Sequence, residues 1–212
     1  MGWFTRELNF VKYAQAVADW NSVAYGSHDK PLDDQWALVE EEGKEVLEAF
    51  GAKDKAEFLK EMLDMFVVIS YYRFLAYKEV SYDRETMGLY HNLQLFSVKD
   101  LVEFLVNSIK VGDSIDALTA TFAILSKLDA DVEGAIKEVL RSNNSKFAPY
   151  QAREEDSYDQ QCKELEGERY KNVTWSLNGD KVVFKAGSGK VLKSPSTYSP
   201  ANVGKFINRE EK

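Results

Sequence analysis

Apolar positions recur at helical spacing over most of the first two thirds of the chain. Leu8, Val11, Ala14 and Ala18 form one stripe and predict a helix from about Thr5 to Trp20. A second amphipathic run covers Asp33–Phe50 and a third Lys55–Tyr77, the latter ending in the aromatic cluster Tyr71-Tyr72-Arg73-Phe74. Between them lies Gly51-Ala52-Lys53-Asp54. Gly51 suits a helix C-cap, and Asp54 suits an N-cap with Glu57 three residues on, the spacing of a capping box. The two runs therefore predict an antiparallel helical hairpin. Ser81–Gly88 is polar and reads as a loop. Helices are expected at Val98–Lys110, where Val102, Leu105, Val106 and Ile109 make a clear stripe, at Ser114–Leu128, and at Asp131–Leu140. Asp33 or Asp34 is expected to cap the second helix, and Asp113 the helix that begins at Ser114.

After Pro149 the pattern changes. Gln151–Glu168 is highly charged and reads as a linker or exposed helix. Two β-prone runs, Val173–Leu177 and Lys181–Phe184, flank Asn178-Gly179-Asp180, and an Asn-Gly turn between such runs is a strong hairpin signal. Ser194–Lys212 reads as irregular. The expected fold class is all-α, an antiparallel helical bundle with a small β-hairpin appended. The expected division is residues 1–148 as the helical domain and residues 149–212 as a C-terminal extension.

The polar positions of the hairpin bring in chemistry. Glu42 and Glu45 are spaced i,i+3, as are Glu61 and Asp64, so each pair shares a helix face. Both pairs stand roughly nine or ten residues from the turn, about 14 Å along each axis at ~1.5 Å per residue, so they come level. Acids converging from two helices repel unless a cation lies between them. The donors are hard oxygens with no His or Cys nearby, which favours Mg²⁺ or Mn²⁺ over Zn²⁺. A solvated acidic face is the plainer reading of the same spacing.

These residues resemble a known family. Glu42-x-x-Glu45 followed by Glu61-x-x-Asp64 is similar to the metal-ligand pattern of the all-α nucleoside triphosphate pyrophosphatases, the MazG-like and phosphoribosyl-ATP pyrophosphohydrolase-like enzymes. Arg141-Ser142-Asn143-Asn144-Ser145-Lys146-Phe147 resembles the S-N-x-S-K stretch of the second branch. The stretch between residues 65 and 130 carries more material than the compact family pattern. The resemblance implies an Mg²⁺-dependent hydrolase (Mn²⁺ as an alternative) that cleaves a nucleoside or deoxynucleoside triphosphate to the monophosphate and pyrophosphate. Glu42, Glu45, Glu61 and Asp64 would be the metal ligands. Glu41 or Glu45 would take the proton from the attacking water. Lys146 would act on the outer phosphates, Asn143 would contact phosphate or a base edge, and Trp20 and Trp36 are the candidate stacking surfaces for the base. A homodimer or homotetramer is implied as well. Other readings of the same residues are a dUTPase-like or phosphoribosyl-ATP hydrolase activity, a nucleotide-sequestering helical module without turnover, and a structural helical oligomer.

Composition narrows the picture. The 212-residue chain carries a formal net charge of −8, against nonspecific nucleic-acid binding, which needs a basic surface. One cysteine, Cys162, excludes an internal disulfide and reads as a bystander thiol. No long apolar run suggests a membrane span or a signal peptide, so a cytoplasmic protein is expected; the family resemblance adds that such enzymes are often phage-encoded, which would place it in a host cytoplasm. Gly187-Ser188-Gly189-Lys190 lacks the first glycine of a P-loop and has Val191 where Ser or Thr belongs, so it is set aside.

Overall fold

The computed structural model describes residues 4–28, 30–78 and 84–208. These form eight α-helices and one three-stranded antiparallel sheet. In chain order the helices are α1 (Phe4–Tyr25), α2 (Leu32–Ala52), α3 (Lys55–Tyr77), α4 (Arg84–Leu93), α5 (Val98–Val111), α6 (Ser114–Lys127), α7 (Val132–Asn144) and α8 (Glu155–Leu165). The strands are β1 (Ala148–Pro149), β2 (Thr174–Asn178) and β3 (Lys181–Lys185). The chain divides into two compact units. One draws on Met1–Ala18, Asp29–Lys137 and Asn202–Lys212, the other on Asp19–His28 and Glu138–Ala201. The division expected after residue 148 thus falls inside the second unit, and the last described residues belong to the first. No helix among the described residues is long and apolar enough to cross a membrane.

The first unit is a helical bundle. α2 and α3 form the expected antiparallel hairpin: Phe50 packs on Phe58 near the turn, Gln35 Nε2 donates to the Val68 carbonyl at 2.9 Å, and Trp36 meets Tyr72 edge-on at the far end. Asp54 caps α3, its side chain accepting from the Ala56 and Glu57 amides. Glu57 does not close a capping box; its carboxylate takes the Lys60 ammonium instead. Gly51 is not the C-cap either. α2 runs on to Ala52, and Lys53 adopts the left-handed conformation, with φ 59°. Nor do Asp33 and Asp34 cap α2. Pro31 holds the N-cap position and both acids sit in the first turn, where the helix dipole favours them.

The loop expected over Ser81–Gly88 is corrected. Residues 81–83 lie outside the described residues, and Arg84–Gly88 is the start of α4, whose Tyr90 and Leu93 are buried. α6 is buried nearly all round from Ala117 to Leu125. Its small residues admit close neighbours, and its buried hydroxyls are satisfied locally: Thr119 donates to the Ile115 carbonyl and Thr121 to that of Ala117. Phe122 of α6 stacks on Phe10 of α1 at 4.5 Å, with Phe66 of α3 beside both. α2 and α5 approach closely at Gly43, where a Cβ would lie 2.8 Å from Ile109 Cδ1.

The second unit is built on β3, which pairs with β1 on one side and β2 on the other. Val182 and Phe184 face Tyr158 and Cys162 of α8, while Val183 faces Ala24 and Phe147 on the opposite side. Burial on both faces explains the unbroken Val-Val-Phe run. The hairpin forms as expected, with its turn one residue further on. Asn178 pairs with Lys181, so Gly179 (φ 62°) and Asp180 are the central residues. The Asn178 side-chain amide donates to the Val23 carbonyl at 2.7 Å. The segment 194–200, read as irregular, is tied to the end of α7. Ser199 donates its amide to Ser145 Oγ at 2.9 Å, Thr197 donates to the Ser145 carbonyl, and Arg141 to the Pro200 carbonyl.

Candidate functional site

The hairpin positions the acids. Carboxylate oxygens of Glu42 and Glu45 on α2 and of Glu61 on α3 lie within 4.8 Å of one another. Glu45 is exposed, Glu42 half-buried, and Glu61 buried at 4% exposure. Glu61 is buried because α3 is apolar on both sides of it, with Leu59, Met62, Leu63 and Met65 all in the core. Glu42 Oε2 and Glu61 Oε2 are buried with no hydrogen-bond partner among the described residues. Such atoms cost free energy unless something else satisfies them.

The electrostatics follow from this crowding. Burial first, then the charges of Asp64, Glu45, Glu61 and Glu41, push the Glu42 carboxyl up to about 8. Burial pushes Glu61 up to about 7, against the pull of the Lys60 ammonium and with help from Asp64. Asp64 is thus electrostatically part of the group, although the cluster of closely spaced oxygens comprises Glu42, Glu45 and Glu61. Glu41 is exposed beside them.

Sequence spacing does not single out Lys60. It donates to Glu57 Oε1 at 3.0 Å and makes a short contact with Glu61 Oε1. Burial works against its charge, but the bonds to Glu61 and Glu57 hold it above the ordinary lysine range. The signal available in the sequence is an acid three residues before the lysine and another directly after it.

The remaining expected site residues fall elsewhere. Trp36 lines a surface hollow of about 370 Å³ with Asp33, Glu40, Tyr72 and Gly112. Six residues separate it from Glu42, a rotation of about 240° net on the helix, so the two side chains leave α2 on different sides. Trp20, Asn143 and Lys146 belong to the second unit. There Trp20 stacks on Phe147 at 5.2 Å, and the Lys146 ammonium lies 5.2 Å from the Trp20 ring centre. Cys162 is buried, and burial pushes its thiol up, away from reactivity.

No protein-family model, curated protein or solved structure matches the chain. The functional reading therefore rests on the residues and on the resemblance of their motifs.

Proposed function

We propose that the chain is a divalent-metal-dependent nucleoside triphosphate pyrophosphohydrolase of the MazG-like type, with its metal centre at Glu42, Glu45 and Glu61 and with Asp64 completing the charge. The observation that carries this reading is the convergence of three carboxylates within 4.8 Å, two of them with buried oxygens that no described residue satisfies. The donor set fits a hard cation: it consists of carboxylate oxygen alone, the chemistry Mg²⁺ and Mn²⁺ prefer. Such an ion supplies charge neutralisation for a polyphosphate and acidifies water for in-line attack.

The protein's own contribution is preorganisation. The hairpin holds the acids level, and the apolar flank of α3 keeps Glu61 dry. Glu45, exposed within the cluster, and Glu41, exposed beside it, are the candidate proton acceptors. The substrate roles of Asn143 and Lys146 belong to the proposal through the S-N-x-S-K resemblance, and the α–β bond as the cleaved bond through the resemblance of both acid pairs and that stretch to the all-α pyrophosphatases. A homodimer or homotetramer is part of the reading through the same family resemblance, since such enzymes assemble subunits across apolar helices.

The test is turnover of a panel of ribo- and deoxyribonucleoside triphosphates with Mg²⁺, comparing wild type with Glu61→Gln. The variant keeps the side-chain shape and is expected to lose turnover while its circular dichroism is unchanged. Full activity in the variant would remove Glu61 from the site and the reading with it.

A further inference from the structure

Glu61 has two oxygens in different situations. Oε2 is buried with no hydrogen-bond partner among the described residues, whereas Oε1 is held by Lys60. Lys60 is bonded at the same time to Glu57, one turn earlier on α3, at 3.0 Å. The lysine and Glu57 side chains are about half exposed, 47% and 52%, while that of Glu61 is 5% exposed. The ammonium therefore bridges a buried acid of the cluster and an acid at the surface.

We propose that Lys60 is a tethered counter-cation that competes with a divalent metal ion for Glu61. This rests on the metal reading above and adds a regulator to that site. In the metal-free protein the ammonium supplies part of the positive charge that the acids demand. A divalent ion bound to the same carboxylate repels the ammonium, since like charges within a few ångströms on a buried ligand are strongly unfavourable. Lys60 already has its alternative partner: it needs only to give up Glu61 and keep Glu57, and its half-exposed stem leaves it room to do so. The site accordingly binds its metal more weakly than the bare carboxylates would. The extra charge of a polyphosphate-bound metal complex then does more to secure the ion than the protein does alone.

The experiment is calorimetric titration of the full chain with Mn²⁺ alone, for wild type, Lys60→Met, Lys60→Arg and Lys44→Met. Lys60→Met is expected to tighten Mn²⁺ binding about two- to fivefold, the range set by a partly exposed ion pair. Lys60→Arg keeps a cation in place and is expected to stay near wild type. Lys44→Met alters the net charge equally without touching Glu61, and is expected to leave the dissociation constant unchanged. A merely structural role for Lys60 would instead lower the thermal midpoint equally with and without Mn²⁺ and leave the affinity alone. Wild-type or weaker affinity in Lys60→Met, or equal tightening in Lys44→Met, overturns the competition while leaving the metal centre standing. Absence of Mn²⁺ binding in all four proteins overturns the metal centre itself.

Discussion

Replacing Glu61 by Gln is expected to stabilise the metal-free protein at alkaline pH. A glutamate in an unfolded chain titrates near 4.5, and burial raises Glu61 to about 7 in the folded protein. Between those values the unfolded chain has released a proton that the folded chain retains, so stability falls as pH rises through that window. The gap corresponds to roughly 3 kcal/mol, present below pH 4.5 and lost by about pH 7. The glutamine amide carries no charge, so the variant escapes this loss. Removing the Glu61 charge also relieves Glu42, for which that charge is one of the upward influences. At pH 8 in EDTA the variant should therefore exceed wild type by up to about 3 kcal/mol, on the order of 6–12 °C in Tm for a chain of this size. At pH 4.5 the two should coincide. Thermal and urea unfolding at both pH values provide the assay. A variant no more stable than wild type at pH 8, or a difference that does not change with pH, would refute the claim that Glu61 is a buried acid whose charge Lys60 compensates only in part.

Gly134→Ala should cost about 1–3 kcal/mol, because the new Cβ would lie 2.6 Å from the Phe206 ring, and that overpacking outweighs the ~1 kcal/mol helix-propensity gain; chemical denaturation measures it. Asp54→Ala should cost about 1 kcal/mol by leaving the Ala56 and Glu57 amides uncapped, again read by denaturation. Lys146→Ala is expected to raise KM for the nucleotide while lowering stability by no more than about 1 kcal/mol, the worth of its contact with Trp20. An unchanged KM would detach Lys146 from substrate binding.

The hairpin and its acids are legible in the sequence because both depend on local rules. Period 3.6 and the i,i+3 spacing put Glu42 and Glu45 on one face, Asp54 marks the turn, and counting outward from it brings Glu61 level. Gly51 misleads because helix termination is decided by the backbone at Lys53, where a left-handed residue is tolerated without glycine. α4 escapes detection because Gly88 and its polar neighbours obscure a pattern whose burial is tertiary, through Tyr90 and Leu93. The strand β1 is two residues long and exists only as a partner for β3, so no periodicity could announce it. Likewise, Asp131 donates its amide to the Phe206 carbonyl at 2.8 Å, a long-range contact that no local signal encodes. At the site, spacing shows which acids converge, but it cannot show that Glu61 is buried, which depends on both sides of α3 being covered. Lys60 is hidden for the same reason: adjacency to Glu61 in sequence does not reveal a shared ammonium.

The central claim is that the acid cluster serves cleavage of a nucleoside triphosphate between its α and β phosphates. Phosphorus NMR of the wild-type protein with Mg²⁺ and each of the deoxynucleoside triphosphates resolves the products directly. The account predicts equal amounts of pyrophosphate and monophosphate, with no turnover in EDTA. Orthophosphate with the nucleoside diphosphate, or intact triphosphate throughout, would contradict it.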